Sequence, residues 1–269
     1  MTRASATAGP GPIGIFDSGL GGLSVTRAVR ARMPGVHLLY VADSGFAPYG
    51  DRSAAQIIER TLRIGRWLER SGVCAVTVAC NTATAVAVEA LRAVATVPVV
   101  AIEPAIKPAV AATRSGVVGV LATTQTVRSD RVLQLRDAHA ARARILLQAC
   151  PGLAECVEKG EIEGAQTQQL LRTYVEPLLA QGADTLVLGC THYPFLAPVL
   201  RQLFGESLLL VDPAEAVARE LERRVGADQR ASHGVGCLRI LTSGDPAAVA
   251  SSAQRLWGES VSVGSLSEH

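Results

Sequence analysis

The sequence predicts an α/β protein built from two similar halves. Short apolar runs alternate with longer segments of helical periodicity along most of the 269 residues, a pattern typical of parallel sheets flanked by helices. The order strand, strand, helix, strand, helix occurs twice. Two cysteines, Cys80 and Cys190, stand at matching places in the two copies, each directly after an apolar run. An internal duplication is the simplest interpretation.

The first half begins at residue 13, after a segment that we expect to be irregular. Its predicted elements are strands at 13–16 and 36–41, a helix at 53–71, a strand at 73–79 and a helix at 82–94. The helix at 53–71 carries apolar residues such as Ile57, Ile58 and Leu62 at helical spacing. A Gly-Pro-Gly-Pro run discourages regular structure, so residues 1–12 are predicted to form a flexible extension.

The second half follows the same order. Its predicted elements are strands at 117–122 and 144–149, a helix at 165–181, a strand at 184–189 and a helix at 195–204. A further strand is predicted at 208–212, and the tail from Leu238 to Gly258 offers one more strand and helix. Because a single strand and helix cannot bury a core alone, we expect the tail to return to the first domain. The first domain is therefore assigned to 13–100 plus 211–269, and the second to 101–210.

Composition and charge argue against several classes of protein. Apolar residues make up 48% of the chain and charged residues 19%, which allows a substantial core and argues against wholesale disorder. The net charge is only +2 and no basic run of five residues occurs, so dedicated nucleic-acid binding has little electrostatic support. No charge-free apolar stretch of about 18 residues suggests a membrane span.

The cysteines indicate neither disulfides nor a metal site. The N-terminal segment lacks the apolar region of a secretory signal, so we expect a cytoplasmic protein whose six cysteines are reduced. None of them forms a C-x-x-C motif, and their spacings do not match a zinc site. A structural metal is therefore not expected.

Polar residues follow apolar strands at four places. The four loops are Asp17-Ser18-Gly19, Pro48-Tyr49-Gly50, Cys80-Asn81-Thr82 and Cys190-Thr191-His192. In parallel α/β sheets the carboxyl ends of the strands form the binding edge. Two such domains facing each other would bring all four loops into one cleft, where we expect the functional site.

Cys80 and Cys190 are the leading candidates for chemistry. Each lies just before a predicted helix, where backbone N–H groups and the helix dipole favour a thiolate. Thr82 and Thr191 are candidate N-caps of those helices, and the neighbouring amides could hold a substrate carboxylate. The remaining cysteines lack polar surroundings and are interpreted as ordinary buried apolar residues: Cys74, Cys150, Cys156 and Cys237.

Residues near the two cysteines could tune them. His192 lies two positions after Cys190 and can hold a proton near neutral pH. Asp17 has two interpretations, a functional carboxylate or a simple cap of the helix that follows. The glycines of 17–22 do not complete a G-x-G-x-x-G motif, because Ser24 stands where the last glycine belongs. This weakens a dinucleotide-binding interpretation.

Two matched cysteines suit a reaction that inverts one carbon atom. A base must remove a proton from one face while an acid supplies a proton to the other, and the two groups exchange roles in the reverse direction. A pyridoxal enzyme would instead need a lysine for its Schiff base. The only lysines, Lys107 in EPAIKPA and Lys159 in VEKGE, lie in contexts that do not suggest that role.

Several segments resemble those of bacterial glutamate racemases. The most specific are IGIFDSGLGGLSV at 13–25, VACNTAT at 78–84 and LVLGCTHYPFL at 186–196. Supporting matches in the family's order are PYGDRS at 48–53, VRSD at 127–130, VDPAEAVA at 211–218 and TSGDP at 242–246. Aspartate and hydantoin racemases share the paired cysteines but usually not the full DSGxGG and GCTHYP segments.

The resemblance implies two pseudo-symmetric three-layer α/β domains with mainly parallel sheets and an active site in the cleft between them. It implies interconversion of L- and D-glutamate without pyridoxal phosphate, metal or nucleotide, and a supply of D-glutamate for peptidoglycan synthesis. By motif position, Cys80 would exchange the proton with D-glutamate and Cys190 with L-glutamate. Asp17 would assist Cys80, whereas His192 and Glu158 would assist Cys190.

The same resemblance implies substrate contacts and partners. The contacts would be Asp17, Ser18, Tyr49, Gly50, Asn81, Thr82, Thr123, Thr126, Thr191 and His192. Family members often form homodimers, so a homodimer is expected, and some are reported to bind DNA gyrase, which makes such a contact conceivable. The chain departs from the family's pattern before Pro48, where no basic residue lies between Asp43 and Ala47. The segment around Glu158 is also looser than the family's.

Three alternatives stay open on the residues alone. An aspartate racemase or another amino-acid racemase would be recognised by its turnover of aspartate relative to glutamate. A non-catalytic binding protein would need neither Cys80 nor Cys190. A thiol–disulfide protein lacks its usual C-x-x-C motif and would need these two thiols within bonding distance, which leaves no room for a substrate.

Overall fold

The computed structural model describes residues 11–225 and 234–267, whose strands form two fully parallel sheets. The first sheet contains β1 (Ile13–Asp17), β2 (Leu38–Ala42), β3 (Ala75–Val78), β4 (Val99–Ala101), β9 (Leu238–Thr242) and β10 (Val263–Ser265). Its order is β10, β9, β2, β1, β3, β4. The second contains β5 (Val117–Ala122), β6 (Arg144–Ala149), β7 (Thr185–Leu188) and β8 (Leu209–Val211), in the order β6, β5, β7, β8. This confirms the predicted fold class.

Helices flank both sheets. They are α1 (Leu23–Arg32), α2 (Ala54–Arg70), α3 (Asn81–Val94), α4 (Ile106–Ala112), α5 (Thr124–Arg128), α6 (Asp130–Asp137), α7 (Leu153–Lys159), α8 (Ala165–Ala180), α9 (Ala197–Phe204), α10 (Ala214–Val225) and α11 (Pro246–Trp257), with 3₁₀ turns at Tyr49–Asp51 and Tyr193–Leu196. Below, the first half means the six-stranded sheet with its helices, and the second half the four-stranded sheet with its helices.

The central strands are buried on both faces, which explains their nearly continuous apolar sequence. Along β1, Ile13 and Ile15 enter one apolar core while Phe16 enters another on the opposite face. In the second half, Val120 and Leu121 of β5 likewise enter different cores. Successive side chains of a strand point to opposite faces, so a strand covered by helices on both sides must be apolar throughout.

Helix α2 shows how local sequence sets a boundary. Ser53 precedes the helix. Its hydroxyl accepts the backbone N–H of Gln56 at 3.3 Å, and the side-chain Oε1 of Gln56 accepts the backbone N–H of Ser53 at 3.1 Å. This reciprocal capping box satisfies two amide donors at the start of the helix. Ile57, Ile64 and Leu68 then bury one face of the helix against the first sheet.

The chain leaves the first half after β4 and returns after β8. Helix α10 packs on α1, where Arg32 forms ion pairs with Glu215 at 2.8 Å and Glu222 at 2.6 Å. The tail strand β9 pairs with β2 along its whole length. The predicted boundaries at 100/101 and 210/211 each fall one residue inside a strand, because Ala101 pairs with Val78 and Val211 with Val187.

The predicted flexible extension needs one correction at its end. The Pro12 carbonyl accepts the Cys74 N–H at 2.9 Å, so the chain already belongs to the first half at this residue. Residues 1–10 lie outside the described residues. Within 11–225 and 234–267, none of the helices has the length and apolar character needed to cross a membrane.

Candidate active site

A cavity of about 640 Å³ lies between the two halves. Six of the residues that line it come just after the end of a strand, three in each half. They are Ser18 after β1, Ser44 after β2, Cys80 after β3, Thr123 after β5, Cys150 after β6 and Cys190 after β7. The carboxyl ends of both sheets therefore face one cleft, as expected for parallel α/β sheets. Cys80 and Cys190 reach this cavity from opposite halves.

Cys80 is itself the N-cap of α3. Its sulfur accepts the Ala83 N–H at 3.4 Å, and its thiol donates to the Ser18 hydroxyl oxygen at 3.4 Å. The expectation that Thr82 caps this helix is wrong, since Asn81 is already helical and Thr82 lies in the first turn. Burial, and then the negative charge of Asp17, raise the pKa of the Cys80 thiol to about 12. The expected thiolate is therefore not favoured here, because burial outweighs the helix terminus.

Cys190 is framed by an imidazole and a carboxylate. Its sulfur lies 3.5 Å from Nδ1 of His192, and Nε2 of His192 lies 2.6 Å from Oε1 of Glu158. Burial disfavours the His192 cation, but the hydrogen bonds and charges of Cys190 and Glu158 outweigh it and raise the histidine pKa well above its usual value. An imidazolium at this position can stabilise negative charge on Cys190.

Glu158 also ties the two halves together. The carboxylate oxygen that meets His192 accepts the backbone N–H of Leu20 at 2.6 Å. Helix α7 carries Glu158 in the second half, whereas Leu20 belongs to the loop after β1 in the first. The structure thus places this predicted carboxylate beside His192, although its surrounding sequence matched the family only loosely.

Asp17 joins the surroundings of both thiols. Its Oδ1 accepts the Gly19 N–H at 2.9 Å and the Ser18 hydroxyl at 3.3 Å, and its Oδ2 accepts the Thr191 hydroxyl at 2.8 Å. Burial raises the pKa of Asp17, although the charge of His192 and the hydrogen bonds from Gly19 and Thr191 oppose this rise. The helix-cap interpretation is wrong, because Gly22 occupies the N-cap position of α1 and no side chain caps it.

Asp17 and Thr126 differ from the other predicted substrate contacts. Both are fully buried and neither lines the cavity. Asp17 accepts hydrogen bonds from Ser18 and Thr191, which do line the cavity. The Thr126 hydroxyl oxygen lies 3.4 Å from that of Thr82 and 2.9 Å from that of Thr123. The other predicted contacts line the cavity: Ser18, Tyr49, Gly50, Asn81, Thr82, Thr123, Thr191 and His192.

Thr191 is not an N-cap either. The segment after Cys190 forms a tight turn, in which the Tyr193 N–H donates to the Cys190 carbonyl at 3.0 Å, and then the 3₁₀ turn Tyr193–Leu196. The Thr191 hydroxyl is used across the cleft on Asp17. Its carbonyl accepts the Ser24 hydroxyl from α1 at 2.9 Å. The loop of the second cysteine is therefore held by the first half.

The glycines after β1 allow this close contact between halves. A Cβ atom on Gly19 would collide with the Glu158 carboxylate, and one on Gly21 would collide with the His192 ring and lie 2.6 Å from the Thr191 hydroxyl oxygen. A Cβ on Gly22 would lie 2.9 Å from the Tyr40 hydroxyl. Gly19 and Gly21 therefore form a surface against which functional side chains of the second half pack, whereas Gly22 makes room for side chains of its own half.

Two polar groups at the cavity have no hydrogen-bond partner among the described residues. Both atoms of the Asn81 side-chain amide and the hydroxyl of Ser44 are buried without one. Buried polar groups are nearly always satisfied, so such groups at a cavity indicate that a bound polar molecule completes them. Asn81 was predicted as a contact from its loop, whereas Ser44 was not predicted, because nothing in the run from Asp43 to Ala47 indicates which side chain faces the cleft.

An ion pair forms next to the loop after β2, although that loop lacks the basic residue of the family's pattern. Asp43 is fully buried, and the guanidinium of Arg60 on α2 meets its carboxylate at 2.6 Å. The positive charge is thus supplied by a helix 17 residues later in the chain. Sequence spacing within the loop could not indicate this pair.

Part of the cavity wall was not predicted. The missed lining residues include Cys150 and Pro151 after β6, Glu155 and Lys159 of α7, and Ser251, Ser252 and Arg255 of α11. Arg255 spans the cleft, donating to the Lys159 carbonyl at 3.3 Å. Cys74, Cys150 and Cys156 are at least partly buried, as expected, but Cys237 is exposed because it lies in the segment leading into β9.

Within the part of the chain that the structure describes, no group of three His, Cys, Asp or Glu side chains is placed to hold a metal ion. In the cleft, His192 is bonded to Glu158, and Asp17 accepts the Thr191 hydroxyl.

Comparison with known proteins agrees with this arrangement. A sequence model of the Asp/Glu/Hydantoin racemase family matches residues 21–221. The glutamate racemase of Stutzerimonas stutzeri is 49% identical over 94% of this chain and 96% of its own length. That of Ectopseudomonas mendocina is 50% identical over 94% of this chain and 97% of its own length.

Solved structures show the same fold. Glutamate racemase isoform RacE1 from Bacillus anthracis superposes with a TM-score of 0.86 at 30% identity, covering 96% of this chain and 97% of that one. The Escherichia coli glutamate racemase, solved with L-glutamate and the activator UDP-MurNAc-Ala, gives 0.83 at 31% identity, covering 96% and 99%. The chain is an amino-acid racemase and belongs to the glutamate racemases of the Asp/Glu/Hydantoin racemase family.

Proposed function

We propose that this protein interconverts L- and D-glutamate by a two-base reaction in which Cys80 and Cys190 act on opposite faces of the α-carbon. The observation that carries the proposal is that two thiols from opposite halves reach one cleft. The substrate is proposed from the relatives, which are named glutamate racemases. The D-glutamate would serve peptidoglycan synthesis in the cytoplasm. Homodimer formation and a DNA gyrase contact stay predictions.

In the direction from L- to D-glutamate, the Cys190 thiolate removes the α-proton. The electron pair left on the carbon is delocalised into the α-carboxylate, and the Cys80 thiol then donates its proton to the other face. The net result is inversion at carbon, with the thiol and thiolate exchanged between the two cysteines. The reverse reaction uses the same groups in opposite roles. The raised pKa of Cys80 keeps it protonated and suited to the donor role.

The neighbouring groups give the two thiols different support. The His192 cation, held by Glu158, lies next to Cys190 and stabilises its negative charge. Cys80 instead donates to Ser18, whose hydroxyl donates to Asp17. When Cys80 must become the base, its proton can pass along this path toward the carboxylate. The supports are therefore unequal, although the thiols lie in matching places.

The polar groups that line the cavity suit a small zwitterionic amino acid. The unpartnered Asn81 amide offers both a donor and an acceptor, which can meet the amino and carboxylate groups of an amino acid. The Ser44 hydroxyl offers a further partner on the first half. Thr82, Thr123 and Thr191 supply hydroxyl groups from both sides of the cleft.

The proposal is tested by hydrogen exchange in deuterated water. Dialysed protein should racemise each glutamate enantiomer and incorporate solvent deuterium at the α-carbon. Cys80→Ala and Cys190→Ala should each abolish racemisation, with residual α-exchange confined to L-glutamate for the first variant and to D-glutamate for the second. The exposed Cys237→Ser is the matched control and should behave as the unmodified protein.

Two outcomes would contradict the proposal. Normal racemisation by Cys80→Ala would exclude the two-thiol mechanism. A strong preference for aspartate over glutamate in the unmodified protein would instead leave the mechanism in place and change the substrate.

A further inference from the structure

We propose that Arg60 and Phe46 are positioning residues that hold residues 44–52, here called the cleft loop, in the shape that binds substrate. The kinetic part of this proposal rests on the function proposed above. The structural part concerns the loop alone and can be tested without any substrate.

The carboxylate of Asp43 lies immediately before the cleft loop. Its Oδ2 accepts the Tyr49 hydroxyl at 2.5 Å and Nε of Arg60 at 3.0 Å, and its Oδ1 accepts Nη2 of Arg60 and the Ser243 hydroxyl, both at 2.6 Å. A carboxylate has about four acceptor sites. Asp43 is therefore saturated and buried, so it organises the loop and does not itself meet the substrate.

Arg60 joins this carboxylate to the loop from two sides. It binds Asp43 with two parallel N–H groups, a geometry that lysine cannot reproduce. The Cζ atom of its guanidinium lies over the Phe46 ring, 3.8 Å from the ring centre. Phe46 is 41% exposed and covers the charge pair from solvent. This stacking attaches the outer part of the cleft loop to helix α2.

The inner part of the cleft loop forms a wall of the cavity. Tyr49 and Gly50 line it, and the Tyr49 ring packs 6.2 Å from Phe16 in the apolar cluster that includes Cys80. Gly50 is near enough to the second half that a Cβ atom on it would lie 3.6 Å from Cβ of Thr123. The loop thus closes the cleft on the Cys80 side.

Arg60 and Phe46 contact this wall on the side away from the large cavity. Neither lines the large cavity, and both border a separate one of about 180 Å³ on the outer side of Tyr49. Their effect on the substrate must therefore pass through the position of the loop. Loss of a loop that contacts substrate and transition state alike weakens binding more than turnover, so KM is the parameter that should respond.

The experiment uses Phe46→Leu and Arg60→Lys in the full chain. Hydrogen–deuterium exchange of the substrate-free protein is followed by mass spectrometry over residues 44–52, and kcat and KM are measured for both glutamate enantiomers. Arg223→Lys is the control, because Arg223 forms an exposed two-bonded pair with Glu220 away from the cleft.

Both variants should exchange residues 44–52 roughly 10-fold faster than the unmodified protein. KM should rise roughly 5- to 20-fold for each enantiomer, while kcat stays within about threefold. The control should change neither quantity. If Arg60→Lys does not fold, Phe46→Leu carries the test, because it removes only a half-exposed ring.

Unchanged exchange over residues 44–52 in Phe46→Leu would overturn the proposal. So would a fall in kcat with an unchanged KM, which would place the two residues in the chemical step. If glutamate is not a substrate at all, the exchange measurement still decides whether Arg60 and Phe46 hold the loop, and the proposed function fails separately.

Discussion

Thr191 in the second half donates its hydroxyl to Asp17 in the first half at 2.8 Å, so one carboxylate is shared between the surroundings of both thiols. The other oxygen of Asp17 accepts Ser18, and Ser18 accepts the Cys80 thiol. A line of hydrogen bonds therefore runs from Cys80 to the residue next to Cys190. The two halves of the site are coupled through side chains as well as through the substrate.

Replacing Thr191 by valine should shift the pH dependence of the reaction. Burial raises the pKa of Asp17, and the Thr191 hydroxyl is one of the groups that oppose this rise. Removing the donor raises the Asp17 pKa further, so an acidic limb that requires the carboxylate moves to higher pH. We expect kcat/KM to fall roughly 10- to 100-fold at neutral pH. The measurement is kcat/KM against pH.

The shifted limb distinguishes coupling from simple loss of a substrate contact. A missing contact would lower kcat/KM at every pH and leave the limb in place, and that result would argue against the shared carboxylate. Thr173→Val on the exposed side of α8, where the hydroxyl bonds only within its own helix, is the matched control.

Replacing Glu158 by glutamine should make His192, beside Cys190, easier to deprotonate. Glu158 is one of the groups that raise the His192 pKa above its usual value, so its loss lowers that pKa. A basic limb that requires protonated His192 then moves to lower pH. Because the equilibrium constant of a racemisation is one, kcat/KM must fall equally in both directions, by roughly 10- to 100-fold.

Isotope effects show which thiol Glu158 serves. If it supports Cys190, the primary isotope effect with α-deuterated L-glutamate rises, while that with α-deuterated D-glutamate falls. Equal changes with both enantiomers would mean that Glu158 acts on the whole cleft. Glu155→Gln, in the same helix and at the same cavity, is the control.

The free energy of unfolding should depend on the pair formed by His192 and Glu158. A histidine whose pKa is raised on folding contributes stability at pH values below its unfolded pKa, about 6.5, and this contribution disappears as the pH rises through the folded pKa. The stability difference between the unmodified protein and Glu158→Gln should therefore be largest near pH 6 and decrease toward alkaline pH. Urea unfolding at several pH values measures it. A difference that grows with pH would contradict this assignment.

Cys80 should react slowly with alkylating agents in the substrate-free protein. With a pKa of about 12, fewer than about one thiol in ten thousand is ionised at pH 7.5, and the thiolate is the reactive form. Cys237 is exposed whereas Cys80 is buried. Iodoacetamide followed by peptide mapping should therefore find Cys237 modified first. Faster labelling of Cys80 would show that its thiolate is favoured after all.

The main features of the fold could be predicted because they produce long or repeated patterns in the sequence. Buried parallel strands give unbroken apolar runs, and α2 and α8 extend over 17 and 16 residues, enough turns to show helical periodicity. The short helices α5 and α7 have only five and seven residues. A segment of that length does not complete enough turns to reveal an apolar face, so those helices were missed.

In the candidate site, the positions of the two cysteines could be predicted, but their chemical surroundings could not. Cys80 and Cys190 follow strands, and their positions could be predicted from chain order. Their chemical surroundings depend on contacts between residues far apart, such as Glu158 with the Leu20 amide and Thr191 with Asp17. Burial, which dominates the pKa of Cys80, also depends on how the chain packs around that residue. Sequence spacing carries no measure of either, so the thiolate expected at Cys80 and both threonine caps were wrong.

Gly21→Ala should impair catalysis without unfolding the protein. A Cβ atom at residue 21 would collide with the His192 ring and lie 2.6 Å from the Thr191 hydroxyl oxygen. The backbone at Gly21 does not require a positive φ, so alanine causes no backbone strain and the damage falls on those two side chains. Displacement of a catalytic group by about 1 Å can cost about 100-fold in rate. We expect kcat to fall by that order.

Gly164→Ala is the matched control, because a Cβ atom there would meet its nearest neighbour, the Glu161 carbonyl, at 3.4 Å and far from the cleft chemistry. It should keep its kcat. The melting temperatures of both variants should stay close to that of the unmodified protein, since neither change opens a buried core. A large fall in melting temperature for Gly21→Ala would mean that the glycine supports the fold as a whole. A normal kcat would mean that His192 and Thr191 tolerate displacement, and the contact between the halves would then have no catalytic role.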